Sequence, residues 1–215
     1  MRNGLRVLVV AALAVGCAVA TGVAASPAHG GLLSCDGQAA APAFARWLDP
    51  IPYSLVPGGD FEGAHGWKLS GGATVVSGND PYDVRPGSSS LSLPAGASAT
   101  SPSTCVGTLA LTMRMMASNS GSLLSPLKVE ILYTTASGVR RTALVGNRTG
   151  TAAWGPGLLP DVYLLASLGP LLSQVGQNGG LVTQVQFRLT AQSGLLGSGR
   201  WRVDGVFVDP WVNGF

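Results

Sequence analysis

Charge is the scarcest feature of this sequence. Charged residues make up 11% of the 215 residues, lysine occurs twice, and histidine occurs only at His29 and His65. The sequence has no Gly-x-Ser-x-Gly elbow, no His-Glu-x-x-His pair and no phosphate-binding loop. These absences argue against the common hydrolase, metalloprotease and nucleotide-binding classes, and we expect no enzymatic activity.

A long apolar run lies near the beginning of the chain. Residues 7–20 carry no charge, Arg2 and Arg6 precede them, and small residues follow. This order of basic residues, apolar run and small residues is typical of a secretory signal peptide. We predict that residues 1–28 are a signal peptide, so that the mature protein is secreted and keeps no membrane span.

Three alternatives to this cleavage stay open. A cut after residue 25 also follows small residues. The apolar stretch up to that point is about 19 residues long, which is near the lower limit for an uncleaved membrane anchor. A cell-surface lipoprotein attached through Cys17 is the third alternative, although Ala14 stands where a large aliphatic residue is usual.

Cleavage also changes the charge balance. Of the 13 basic residues, Arg2 and Arg6 leave with the signal, so 11 remain against 10 acidic residues. The basic residues are scattered, with Arg140-Arg141 as the only adjacent pair. A nearly neutral chain without a basic patch is not typical of a nucleic-acid-binding protein. We expect no nucleic-acid partner, and we expect a monomer.

Two cysteines, Cys35 and Cys105, remain after cleavage. An even number of cysteines in an exported chain indicates a disulfide. The bond would close a loop of about 70 residues, worth roughly 4 kcal/mol in the chain-entropy description. Two buried unpaired thiols are the alternative, whereas two cysteines with so little histidine cannot complete a zinc site.

Short alternating runs separated by Gly, Pro, Ser and Asn predict an all-β fold. The last run, 200–208, alternates so that Trp201, Val203, Gly205 and Phe207 share one face. We assign 29–52 to an N-terminal extension with a short helix over 39–47, and 53–215 to a β-sandwich domain. Residues 154–176 fit a strand and a short helix, or an exposed apolar patch. The predicted strands are 53–56, 68–70, 73–77, 89–93, 97–101, 108–117, 127–135, 139–145, 181–190 and 200–208.

Both ends of the predicted sandwich carry a motif. Residues 59–63 read Gly-Asp-Phe-Glu-Gly ahead of Trp67, residues 87–93 read Gly-Ser-Ser-Ser-Leu-Ser-Leu, and 201–204 read Trp-Arg-Val-Asp. This set resembles the galactose-binding-like jelly rolls, which include the carbohydrate-binding modules of secreted glycoside hydrolases. It is also similar to exported proteins of high-GC bacteria, which prefer arginine over lysine. The resemblance covers about residues 53–210 and implies a two-sheet antiparallel jelly-roll sandwich.

The resemblance further implies a structural calcium ion between the first turn and the last strand. The ligands carried over are Asp60, Glu62, Asp204 and Asp209, which supply the hard oxygens that calcium prefers. The sequence departs from the pattern at Gly205, where relatives commonly have a second acidic residue. The alternative is that Asp60 caps its own turn and Glu62 binds backbone amides.

A binding module for carbohydrate or cell-wall polymer is the function that the resemblance implies. Sugar recognition needs exposed aromatic rings with polar groups nearby. Trp67 and Trp201 fit core positions better, and a tyrosine that only anchors its own loop is the alternative for Tyr82. A structural or interaction protein of the cell envelope without sugar affinity is the alternative function, and a weak hydrolase is a third. The candidate ligand-binding residues are Asn79, Tyr82, Asp83 and Trp154.

Overall fold

The chain folds as an all-β protein in the computed structural model, which describes residues 38–63, 66–107, 112–134, 138–156, 182–194 and 197–209. Within these ranges the only helical element is a 3-10 turn over Ala45–Trp47. No helix there is long and apolar enough to cross a membrane. The strands are β1 (Ala40–Ala41), β2 (Tyr53–Leu55), β3 (Lys68–Ser70), β4 (Thr74–Ser77), β5 (Ser89–Pro94), β6 (Ser98–Thr100), β7 (Thr104–Gly107), β8 (Met113–Asn119), β9 (Leu127–Thr134), β10 (Arg140–Arg148), β11 (Val182–Ala191), β12 (Ser193–Gly194), β13 (Gly197–Ser198) and β14 (Arg200–Val208).

Two antiparallel sheets contain most of these strands. The first has the order β1-β2-β14-β5-β4, with β8 on the other side of β14, and the second has the order β10-β9-β11-β6-β3, with β7 also pairing with β11. A short hairpin of β12 and β13 stands apart from both. This arrangement confirms the predicted two-sheet antiparallel jelly-roll sandwich.

The main core lies between the two sheets. Because side chains alternate along a strand, Met113, Met115 and Ala117 of β8 face this core, whereas Met116 lies in a different cluster. Trp201 is 1% exposed within the main core, and its indole Nε1 donates to the carbonyl of Ser125 over 3.0 Å. Its prediction as a core residue is therefore confirmed.

A second apolar cluster covers the outer face of the first sheet. It contains Phe44, Tyr53, Met116 and Phe207. The Phe44 ring meets the rings of Tyr53 and Phe207 edge to face, with centroids 5.4 Å apart in each pair. Edge-to-face contacts of this kind stabilise beyond the area they bury. We call this group the outer cluster.

The N-terminal extension supplies Phe44 to the outer cluster, but without the predicted helix. Residues 39–47 instead form β1, which pairs with β2, and the 3-10 turn. Pro42 separates the two elements, because it lacks the N–H group that a longer helix would need. The domain boundary at 53 stays a prediction. Residues 1–37, with the signal peptide and Cys35, and 157–181, most of the ambiguous segment, lie outside the described residues.

The alternation predicted for the last strand is wrong after Asp204. The pairing of β14 with β8 shifts register between Asp204 and Phe207, which is a β-bulge. Val206 and Val208 therefore join Trp201 in the main core, and Phe207 turns to the outer cluster. The bulge explains how one strand contributes to both apolar clusters.

Glycines allow both the bulge and the closure of the sandwich. Gly205 has a φ of 53°, which lies in the left-handed region that glycine adopts most easily. Opposite the bulge, the Val206 carbonyl accepts from Val56 over 2.9 Å, and Val206 donates to the Gly59 carbonyl over 3.0 Å. A Cβ on Gly59 would stand 2.7 Å from the Val206 oxygen. The first turn therefore meets the last strand, as the resemblance implies.

We expect Gly205→Ala to cost more stability than Gly138→Ala, although both glycines have left-handed φ angles. The left-handed conformation alone costs about 1–2 kcal/mol with a side chain. A Cβ on Gly205 would also stand 3.0 Å from the Phe207 ring, whereas one on Gly138 meets nothing within 4 Å. Overpacking adds about 1–3 kcal/mol. Urea unfolding measures the free energy of unfolding of both variants. Equal losses would show that the Phe207 ring moves aside without cost.

Candidate ligand-binding site

The acidic residues of the first turn are held by amide and hydroxyl donors. Asp60 accepts from the backbone N–H of Glu62 over 3.5 Å, as in an Asx turn. Glu62 accepts from the backbone N–H groups of Ser88 and Ser89 over 2.7 and 2.6 Å, and from the Ser88 hydroxyl over 3.1 Å. These donors, led by the Ser88 amide, lower the pKa of Glu62. These contacts are those of the alternative in which Asp60 caps its own turn and Glu62 binds backbone amides.

The acidic residue of the last strand is buried. Asp204 has no exposed surface, and its carboxylate accepts from the Asp80 N–H over 3.0 Å and from the Gly205 N–H over 2.7 Å. Burial raises the pKa of Asp204 to about 7, and the nearby charges of Asp80 and Glu62 act in the same direction. Asp204 thus joins β14 to the loop that begins at Asn79.

Of the four residues predicted for calcium, Asp60 and Glu62 share the first turn, and Asp204 lies on β14. Asp209 follows β14 and donates through its backbone to the carbonyl of Thr112, just before β8, over 2.9 Å. Within the described ranges, no group of three or more acidic, histidine or cysteine side chains is placed to hold a metal ion. The carboxylates found here act as acceptors for N–H and O–H donors, and they do not by themselves fit a calcium site. Calcium stays a prediction of the resemblance.

The loop over 79–85 is shaped by Asp80. Its carboxylate accepts from the N–H of Tyr82 over 2.8 Å and from the N–H of Val84 over 3.3 Å. Asn79 closes the same loop, donating to the Asp83 carboxylate over 3.1 Å and to the Arg85 carbonyl over 2.9 Å. The predicted ligand residues Asn79 and Asp83 therefore bond to each other and hold the loop that presents Tyr82.

Tyr82 does more than anchor its own loop, because the residue is 42% exposed and its ring packs on another aromatic residue. The Trp47 ring meets it edge to face, with a centroid distance of 5.3 Å. The guanidinium carbon of Arg46 lies 4.8 Å from the Tyr82 ring and 5.4 Å from the Trp47 ring. Such distances are those of cation–π contacts.

Trp154 approaches the same region from the other side. Trp47 and Trp154 both line a cleft of about 620 Å³, and both pack against the outer cluster. The guanidinium carbon of Arg202 lies 6.0 Å from the Trp154 ring. Tyr82, Trp47 and Trp154, with Arg46 and Arg202 beside them, form what we call the aromatic band.

Trp47 is the band residue that the sequence did not suggest. The structure brings Tyr82 and Trp154 to one face, and Trp47 contacts the first and shares a cleft with the second. Trp47 lies in the N-terminal extension, outside the predicted sandwich domain, and the sequence therefore did not indicate it as a ligand-binding residue. The available signal was an Arg-Trp pair in a chain where both charge and aromatic residues are scarce.

A second cleft, of about 800 Å³, opens where the edge strands β3 and β4 approach each other. Phe61, Trp67, Leu69 and Val75 line it. Trp67 packs against the main core and donates through its indole Nε1 to the Pro57 carbonyl over 3.0 Å. This ring serves the core, as predicted, and the cleft beside it is lined by apolar residues together with Glu62, Thr74 and Ser89.

No family model matches this chain, and no curated protein is detectably similar to it. Among solved structures, a xylan-binding family 22 module of Paenibacillus barcinonensis Xyn10C is 16% identical, with a TM-score of 0.44, over 73% of this chain and 93% of that one. The module TmCBM61, in complex with β-1,4-galactotriose, is 14% identical, with a TM-score of 0.36, over 71% and 93% of the two chains. The enzymatically active domain of tailspike protein 4 from bacteriophage CBA120 is 17% identical, with a TM-score of 0.40. The match spans 70% of this chain but only 20% of the tailspike chain. Similarity at this level does not by itself assign a function.

We expect Asp204 to make the folded protein less stable at neutral pH than in acid. Its folded pKa of about 7 lies above the value of about 3.9 in an unfolded chain. The stabilisation is therefore complete below about pH 4 and is lost as the pH rises to about 7, by at most about 4 kcal/mol. Urea unfolding between these pH values, with a chelator present, should show this fall in the natural chain and not in Asp204→Asn.

Leu144→Ala is the control for this titration, because it changes an exposed side chain that carries no titratable group. It should leave the pH dependence unchanged. An identical slope in the natural chain and in Asp204→Asn would contradict a raised pKa at Asp204.

Proposed function

We propose that this chain is a non-catalytic binding module whose ligand is a carbohydrate or a cell-wall polymer. The observation that carries the proposal is the aromatic band on the outer face of the first sheet. Sugars present apolar C–H faces that stack on aromatic rings, while polar groups at the edge fix their orientation. The band offers both, because Tyr82 and Trp47 pack on each other beside Arg46, and Trp154 lies beside Arg202.

Preorganisation supports the same proposal. Tyr82 is positioned through the backbone hydrogen bonds of Asp80, and Trp47 packs against the buried ring of Phe44 with a centroid distance of 6.1 Å. Side chains that are already ordered lose less conformational entropy when a ligand binds. The face therefore has the properties of a prepared binding surface.

The carboxylates around the band support a non-catalytic role. Glycoside hydrolysis requires two carboxylates that flank the scissile bond. Asp80 and Asp204 are buried and bound to amide groups, and Asp49 is engaged by Arg114 and Tyr53. Each of these groups has a structural hydrogen-bonding role.

Truncation of the band should weaken glycan binding. We expect Trp47→Ala, Tyr82→Ala and Trp154→Ala each to lower the affinity about tenfold or more, which corresponds to about 1.4 kcal/mol or more of lost stacking. Tyr82→Phe keeps the ring and should keep most of the affinity. Titration calorimetry against glycans and cell-wall fractions measures the change.

Leu144→Ala is the control outside the band, since Leu144 is 52% exposed on β10 of the second sheet. It should bind like the natural chain. Binding to no glycan and to no cell-wall fraction would reject the proposal and favour an envelope protein without sugar affinity.

We further propose that the mature chain is exported with a Cys35–Cys105 disulfide. The signal-like N-terminus supports export. Gln38, three residues after Cys35 in the sequence, donates to the carbonyl of Cys105 on β7 over 3.5 Å. That contact supports a pairing of Cys105 with Cys35.

Mass spectrometry of the exported protein tests this pairing. The intact mature chain should begin after residue 28 and weigh two protons less than its reduced form. A peptide joining Cys35 to Cys105 should appear without reductant and disappear with it. Two thiols that react with an alkylating reagent in the unfolded, unreduced chain would contradict the pairing.

Calcium between the first turn and the last strand is proposed on the resemblance alone. The pH titration of Asp204 also tests it, when it is repeated with excess calcium in place of the chelator. A cation on Asp204 would keep the carboxylate ionised and abolish the loss of stability between acid and neutral pH. An unchanged titration would reject the proposal.

A further inference from the structure

Arg46 is an exposed cation without a carboxylate partner among the residues that the structure describes. Its guanidinium lies against the rings of Tyr82 and Trp47. Two other arginines of the sandwich differ, because Arg114 pairs with Asp49 and Arg188 pairs with Glu130. The charge at one end of the aromatic band is therefore not neutralised by any described carboxylate.

Arg202 provides the second positive charge, beside Trp154. Its Nη2 donates to the carbonyls of Ser77 and Gly78 over 2.7 and 2.9 Å and to the Ser90 hydroxyl over 2.6 Å. These acceptors are neutral, so they fix the guanidinium without cancelling its charge. Within the described ranges, Arg202 forms no ion pair with a carboxylate.

The carboxylates close to the band are held by different donors. Asp49 pairs with Arg114, whereas the exposed Asp83 accepts from the neutral amide of Asn79 and keeps its charge. Asp80 is buried and binds the amides of its own loop. The band thus presents the exposed Arg46 and the half-buried Arg202 together with aromatic rings, against the one exposed carboxylate of the 79–85 loop, Asp83.

We propose that the ligand of the aromatic band is an anionic glycan, whose sugars stack on the rings while their carboxylate or phosphate groups bind Arg46 and Arg202. The inference rests on the proposed function and names the ligand class of the same site. Guanidinium groups bind carboxylate and phosphate through paired, charge-assisted hydrogen bonds, which are stronger than neutral ones. Stacking against rings orients Arg46 for such contacts while its N–H groups stay accessible.

The experiment compares a polymer with its own neutral form. Polygalacturonate and its fully methyl-esterified form share one sugar backbone and differ in charge. We expect the acid form to bind the full mature chain at least about tenfold more tightly than the ester. The preference should shrink as salt is raised, because counter-ions screen exposed charges.

Arg46→Gln tests whether this preference belongs to the band. It should weaken the acid form about tenfold and leave the ester nearly unchanged. Arg140→Gln removes an exposed charge from β10 of the second sheet and should change neither. Unchanged melting temperatures confirm that both variants fold. Polyglycerol phosphate is tested in parallel with polygalacturonate. The polymer whose affinity falls more in Arg46→Gln shows whether phosphate or carboxylate is the preferred anionic group.

The outcomes separate this inference from the proposed function. Equal binding of acid and ester forms, lost in Trp47→Ala, would overturn the anionic ligand and keep the glycan-binding band. Equal losses in Arg46→Gln and Arg140→Gln would also overturn it, because the attraction would then be general. Binding of no polymer, charged or neutral, would overturn both proposals.

Discussion

The architecture depends on one buried contact, the hydrogen bond from the Asp80 N–H to the Asp204 carboxylate. Asp204 sits on β14, the strand that pairs with β2, β5 and β8. Asp80 uses its own carboxylate to bind the Tyr82 and Val84 amides. The carboxylates of Asp204 and Asp80 therefore fix where the Tyr82 ring lies relative to β14. A buried carboxylate without hydrogen-bond donors is costly, so moving either Asp80 or Asp204 would disturb the hydrogen bonds of the other.

The outer cluster adds a second constraint. Phe207 turns away from the main core because of the bulge at Gly205, and Phe44 covers it from the N-terminal extension. Trp47, only three residues after Phe44, is placed by that packing at the surface. The same apolar contact that buries one face of the first sheet therefore also builds the middle of the aromatic band. Stability and the proposed binding are linked through the extension.

Strand periodicity and turn residues made much of the fold predictable from the sequence. Alternating runs indicated the all-β fold, and the resemblance implied that the first turn meets the last strand, as the structure shows by the hydrogen bond between Gly59 and Val206. The bulge was not predictable, because a single glycine inside an alternating strand does not reveal that the register shifts there. The outward turn of Phe207, and with it the outer cluster, could not be derived without that shift.

The candidate site was predictable only in part, because its members come from distant points of the chain. Tyr82 and Trp154 were identified by their polar and glycine-rich surroundings, which are local features. Trp47 joins them only through the fold, and the neutral acceptors that hold Arg202 are likewise brought together by strand pairing. Local patterns indicate which residues can bind a ligand. The net charge of a surface, however, depends on which of its charged side chains form ion pairs in the folded chain. Among the described residues of this face, Asp49 pairs with Arg114 and Asp80 is buried, whereas two arginines have no carboxylate partner, and that difference arises only in the folded chain.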